Sequence, residues 1–292
     1  DQSAVGTIHS LPERGELELG RLYLRRGRML SGRAEPGDVL VGEAFAEANN
    51  LQPGDTLSAV LYGRGQTFRI AGIVLSPEYV FEAPPGAALP DNRTYGVFWM
   101  PYKELATASN LYDAFNEVTL TLTPGASERA VIAAVDRVLE PYGGRGAYGR
   151  DSHPSHTRLR DEIGTLRGLS VGFPLVFLSV AAFMVNAVMS RQITLQREQI
   201  AILKAFGFSN RQVGWHYLKF ALVIVVAGTV LGAVGGDLLG HKLVEMYHLF
   251  FRFPDLKFLL ATNALLGAGV VCAAAALVGV RGAVRAAVAL PP

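Results

Sequence analysis

Two runs of the chain carry no charge over a length that few folds can accommodate. Gly168–Ser190 (GLSVGFPLVFLSVAAFMVNAVMS) is charge-free between Arg167 and Arg191, and Phe258–Val280 is charge-free between Lys257 and Arg281. Each is about 23 residues, enough at about 1.5 Å per residue to cross a hydrocarbon core of about 30 Å. A third run, Phe220–Gly236 between Lys219 and Asp237, reaches that length when Trp215–Lys219 and Leu238–Leu239 join it. The competing reading is three buried helices of a large soluble protein, but soluble core helices seldom continue for about six turns without a charge. Three transmembrane helices are predicted, at about 168–190, 216–239 and 258–280, with the lipid bilayer as their solvent.

The rest of the chain is different in kind. Residues 1–150 hold 14 Lys/Arg and 18 Asp/Glu, whereas 151–292 hold 13 and 7, so the small net charge of +2 conceals an acidic half and a basic half. With 50% hydrophobic and 18% charged residues, the composition excludes a disordered tail, a collagen-like fibre and a highly basic nucleic-acid binder; no nucleic-acid partner is expected. The lone Cys272 cannot form an internal disulfide. The chain opens at Asp1 with no basic and apolar leader, which is read as a sign of a partial chain.

Positive charge orients the spans. The connector between the first two carries Arg191, Arg197, Lys204, Arg211 and Lys219 against Glu198, and Arg281 and Arg285 follow the last. The connector between the second and third balances Lys242, Arg252 and Lys257 with Asp237, Glu245 and Asp255. By Lys/Arg count the first connector and the C-terminus are cytoplasmic and residues 1–167 lie outside. Arg158, Arg160 and Arg167 oppose this assignment.

Residues 1–154 read as an α+β domain, and 155–292 as a stalk helix leading into an all-α membrane section of three helices. Asp38–Gly42 is a predicted strand, followed by a helix near Glu43–Asn50 that the Leu51-Gln52-Pro53-Gly54 turn ends. Thr56–Tyr62 and Thr67–Val74 form a hairpin around Gly63-Arg64-Gly65-Gln66. Tyr95–Met100 is a strand, and Pro101–Ser109 a helix with proline in its first turn. Glu117–Thr123 (EVTLTLT) alternates as a half-buried strand, and Ala126–Glu140 is a helix with Val131, Ala134, Val135 and Val138 on its inner face. Ser76–Asn92, within a run holding Pro77, Pro84, Pro85, Pro90 and, just beyond, Pro101, is a loop. Ser155–Leu169 is an amphipathic helix, with Leu159, Ile163 and Leu166 at helical spacing, that runs directly into the first span.

Catalytic signatures are missing from the sequence. There is no GxxxxGK[ST] phosphate loop, GxSxG elbow or HExxH pair. Leu30-Ser31-Gly32 begins like an ABC signature but continues Arg33-Ala34, and it reads as a turn. His153 and His156 lack a nearby ligand partner and read as solvated loop histidines. His241, Glu245 and His248 share a short segment and read as packed or interfacial residues; Asp237 sits at the outer end of its span. No enzyme activity, metal or bound cofactor is expected.

The first connector is the informative segment. Ile200, Leu203 and Gly207, with Ile202 and Phe206 alongside, describe a short amphipathic helix that Gly207 suits as a left-handed cap. Ser209 and Gln212 form a capping box for the next helix. The result is a helix–turn–helix elbow whose apolar residues need a partner or the lipid surface. In the second span Gly228, Gly232, Gly236 and Gly240 recur on one face, a pattern that lets another helix approach closely.

Arg197–Ser209 reads R-E-Q-I-A-I-L-K-A-F-G-F-S, which resembles the signature of the FtsX-like permeases, the membrane subunits of MacB/LolCDE-type ABC transporters, roughly R-x-E-I-A-I-L-R-A-L-G-A-S directly after a transmembrane helix. Gln199 replaces the family's usual glutamate or shifts it by one position. Gly37–Val74 resembles the family's MacB-like extracytoplasmic core, and Arg285–Pro292 its basic, proline-containing end. The resemblance implies a coupling helix, here Arg197, Glu198, Ile200, Leu203, Lys204, Ala205, Phe206, Gly207 and Ser209, beneath which a separate ABC ATPase subunit docks and binds the ATP. It also implies a second permease subunit or second half, a bacterial cytoplasmic-membrane location with the large domain outside, and cargo such as lipoprotein, lipid, peptide or drug. A transmembrane helix that such permeases place before the outer domain has no counterpart in these residues. The alternative class is a membrane-anchored sensing module that binds an outer peptide or partner protein and signals without transport.

Overall fold

Strand β3 (Asp38–Gly42) is buried along its whole length, and the N-terminal sheet is built around it. The computed structural model describes residues 3–13, 17–30, 35–84, 86–87, 89–260 and 262–289. In chain order the remaining elements are β1 (Val5–Leu11), β2 (Tyr23–Gly27), α1 (Glu43–Ala48), β4 (Thr56–Leu61), β5 (Arg64–Leu75), β6 (Tyr95–Pro101), α2 (Tyr102–Ser109), α3 (Glu128–Leu139), α4 (Pro154–Leu195), α5 (Arg197–Ala205), α6 (Asn210–Tyr247) and α7 (Thr262–Ala289). They divide into two units. Unit 1 is Asp1–Glu162 with Glu245–Leu256, and unit 2 is Ile163–Val244 with Lys257–Pro292.

Unit 1 is an α/β region on a mixed sheet of order β1-β6-β3-β5-β2, with β4 paired to β5. The β1–β6 and β3–β5 pairs are parallel, and the others antiparallel. Because side chains alternate along a strand, β3 feeds both faces of the sheet. Val39 and Val41 pack with Phe45, Phe68, Ile70, Ile73 and Met100. Leu40 packs opposite, with Leu11, Val74, Val97 and Trp99. Burying each such side chain contributes about 1.5–3 kcal/mol. Asp38, at the head of β3, is also fully buried. Burial opposes its charge, but hydrogen bonds from Arg69, the Glu35 N–H and Arg28 outweigh this and hold its carboxyl below the ordinary range.

Several expectations meet the structure with differences. The hairpin turn is tighter than predicted: Leu61 pairs with Arg64, leaving only Tyr62 and Gly63 at the tip. Both have positive φ, +45° and +81°, the twist that a two-residue turn needs to match its strands. β5 therefore starts at Arg64 rather than Thr67. Glu117–Thr123 forms no strand: its backbone has no ladder partner among the described residues, and Val118, Leu120 and Leu122 are exposed. An alternating pattern specifies a face but does not supply the neighbour to cover it. α3 likewise buries none of its residues, and Val138 of the expected inner face is exposed. β1 and β2 were not foreseen. The Ser31–Ala34 part of the expected turn, Pro85, and the Arg285–Pro292 resemblance from Leu290 onward lie outside the described residues.

The stalk expectation holds in its local structure. One uninterrupted helix, α4, contains both the amphipathic stretch and the first apolar run, with Pro154 at its first turn where no intrahelical N–H is required. Pro174 sits inside it. Among the described residues, α4 and the Arg211–Tyr247 part of α6 are the two helices long and apolar enough to cross a membrane. The third run differs: its helix begins at Thr262, not Phe258, and its apolar stretch Thr262–Val278 is shorter. Phe258 instead lies against Gly240, and its ring centroid is 5.1 Å from that of His241.

Candidate functional site

The elbow between α4 and α6 is built from three local devices. α4 ends at Leu195, and the Gln196 N–H still donates to the Gln192 carbonyl at 3.0 Å. α5 then runs to Ala205 and stops in a Schellman arrangement. Gly207 takes φ +90°, its N–H donates to Lys204 O at 2.9 Å, and the Phe208 N–H donates to Leu203 O at 3.1 Å. A Cβ at position 207 would meet no atom, so glycine is required there by backbone conformation rather than space. The capping box follows: the Ser209 N–H donates to Gln212 Oε1 at 2.8 Å, and the Gln212 N–H donates to Ser209 Oγ at 3.4 Å.

Packing then divides the residues of α5 into two sets. Ile200 is 2% exposed and belongs to a core with Met189 and Ile193 of α4, Val213, Tyr217 and Ala221 of α6, and Val280 of α7. Tyr217 Oη donates to Gln196 Oε1 at 2.8 Å, tying the start of α6 to the bend. Ile200 is thus an internal anchor rather than part of an outward face. On the other side Phe206 is 80% exposed, Ile202 55%, Phe208 48% and Leu203 42%. Arg197, Glu198, Ala205, Gly207 and Ser209 are exposed as well, while Lys204 is half-buried. Four large exposed apolar side chains on and just after a short helix, held by a packed base, are suited to docking rather than to bond chemistry. Phe208 and Ile202 belong to this face. Their apolar character was visible in the sequence, but which side of the bend they take follows only from the burial of Ile200.

The other sequence candidates are dispersed. Gly228, Gly232 and Gly236 have open space where a Cβ would stand, and only Gly240 of that stripe is approached, by Phe258. His156 Nε2 lies 3.4 Å from Asp151, and His153 stands beside Tyr148. The His241 ring nitrogen is 2.9 Å from Asp237 O, and that of His248 is 3.1 Å from Leu256 O. Among the described residues no three His, Cys, Asp or Glu side chains converge as a metal site would need.

Residues 171–286 match the family model for the FtsX-like permease C-terminal domain, a span that includes the elbow. By this match the C-terminal part of the chain is similar to the FtsX-like permeases, which supports a membrane permease of the ABC-transporter type. No curated protein matches the chain.

Proposed function

We propose that the chain is the permease subunit of an ABC transporter of the MacB/LolCDE/FtsX type, and that α5 is where it receives force from a partner ATPase. The observation that carries this reading is the division at the elbow: Ile200 of α5 is locked into the helical core, while Ile202 and Leu203 of α5 and Phe206 and Phe208 just after it remain uncovered. A push on the exposed face would reach α4 and α6 through Ile200 instead of dissipating in a flexible loop. α4 would pass it on, because one helix continues from the elbow to Pro154 in the outer unit.

In this reading the first connector and the C-terminus are cytoplasmic, unit 1 is extracytoplasmic in a bacterial cytoplasmic membrane, and α7 provides the third span. The chain performs no covalent chemistry itself. ATP is held by the partner, and a second permease subunit or half completes the assembly, with the glycine face of α6 offering a close approach. The cargo class is a lipoprotein, lipid, peptide or drug. The test is Leu203→Asp combined with Phe206→Asp in the intact complex. The double variant is expected to insert normally yet to lose ATPase association and transport by about tenfold or more, since two charges would be desolvated at the contact. Unchanged association and transport would contradict the coupling role.

A further inference from the structure

The connector between α6 and α7 is not a free loop: residues 248–256, with the last turn of α6 from Glu245, belong to unit 1. The Arg252 N–H donates to Val80 O at 2.8 Å, the Phe251 ring lies 5.5 Å from that of Phe81, and Pro254 O accepts from Arg25 at 3.3 Å. Arg252 is largely buried. Its Nη1 pairs with Glu47 and lies 3.9 Å from Glu43 Oε2, while Arg25 Nε holds the other oxygen of Glu43 at 2.6 Å. Against the same place lies Glu82, almost wholly buried, whose two carboxylate oxygens would stand 3.0 and 3.1 Å from a Cβ on Gly42.

Among the described residues at this place the acids outnumber the cations that meet them. Glu43 and Glu47 from α1, and Glu82 from the segment after β5, are three acids. Facing them are two guanidiniums, Arg25 from β2 and Arg252 from the connector, while Arg158 of α4 lies over the neighbouring Phe81 ring. Glu82 Oε2 and Arg252 Nε are both buried and make no hydrogen bond among the described residues. A buried carboxylate with an unpartnered oxygen is costly, and one proton removes both the excess charge and most of that cost.

We propose that Glu82 is a proton-binding site that governs a clasp, in which Arg252 holds the 245–256 segment on the outer domain in acid and lets it go as the proton leaves. Nothing in it depends on the nucleotide-coupling reading, since every group involved lies in unit 1. The direction follows from linkage. Burial first, and the charge of Glu43 second, push the Glu82 carboxyl up to about 7 from an ordinary 4.5, despite the opposing pull of Arg252. Release exposes Glu82 to water and returns it toward its ordinary value. The docked form therefore holds the proton more tightly, is favoured in full below the ordinary value, and loses that advantage as pH rises toward 7.

The test uses the full chain in lipid nanodiscs with Cys272→Ser and spin labels at the exposed positions Ser58→Cys and Pro254→Cys. Between about pH 5 and about pH 8 the docked-to-released ratio is expected to fall by about tenfold or more. Glu82→Gln, which mimics the protonated acid, is expected to stay docked throughout, Arg252→Ala to be released throughout, and Glu47→Gln to keep a pH response. A pH-independent distance in the unsubstituted clasp, or an unaltered pH response in Glu82→Gln, would overturn the proposal. So would a docked Arg252→Ala. Should Glu82→Gln not fold, infrared spectra of the wild-type chain decide: a protonated-carboxyl band that disappears around pH 7 is expected, and its absence overturns the assignment.

Discussion

Leucine meets opposite fates in the two units. Leu40 of β3 has no exposed surface, whereas Leu231 of α6 is 74% exposed, and most of its apolar neighbours along the helix are exposed too. In unit 1 the sheet carries its own cover, two layers of side chains with strands and helices around them. In unit 2 the buried cluster among the described residues lies at the base of the helices, at the Met189–Ile200–Tyr217 core. The difference shows that hydropathy reports which medium a residue needs, not whether the chain itself supplies it. For α4 and α6 the bilayer supplies it. The exposed face of α5 is a third case. In sequence Phe206 lies between Lys204 and Arg211, outside the charge-free runs, and in the proposed function a protein partner covers it.

That contrast can be broken by experiment. The largest effect is expected from Leu40→Ala, which should destabilise unit 1 by about 4 kcal/mol through an unfilled cavity while leaving membrane insertion untouched. Thermal unfolding and membrane fractionation together would check it. Leu231→Asp should do the reverse, costing about 3 kcal/mol of insertion free energy with no change in the melting of unit 1. Asp38→Ala should cost unit 1 about 2 kcal/mol, since charge-assisted hydrogen bonds from two arginines are lost. That difference should be full above the ordinary carboxyl value of 3.8 and shrink as pH falls through the lowered native value. Denaturant melts of wild type and variant at several pH values measure it. The smallest effect belongs to Ser209→Ala, expected to loosen the start of α6 by about 1 kcal/mol, read as faster amide exchange over residues 210–213.

How much of this could be read from sequence depended on range. The Gly207 cap, the Ser209–Gln212 box, the continuous α4 and the β3–α1 passage are written in residues a few positions apart, and each stands in the structure. β1 was missed because its place is set by a parallel register with β6, from Val5↔Tyr95 to Leu11↔Pro101, that no local pattern announces. EVTLTLT carried the clearest alternation in the chain and still made no ladder. The clasp was hidden for the same reason as β1. In sequence, Arg252 is one of three cations balancing three acids in a short connector, and its pairing with Glu43 and Glu47 spans some two hundred positions. On α5, helical spacing grouped Ile200 with Leu203, and only packing separated the anchor from the face.

The central claim is that α5 faces the cytoplasm while unit 1 lies outside. The direct measurement is labelling of single cysteines, in a Cys272→Ser background, with a membrane-impermeant maleimide in sealed vesicles of known orientation. The positions are Phe206→Cys at the C-terminal cap of α5 and Tyr142→Cys in unit 1, both highly exposed in the wild-type chain. Phe206→Cys is expected to react only from the cytoplasmic side and Tyr142→Cys only from the opposite side. Reaction of both from one side, or of Phe206→Cys from the external face, would contradict it.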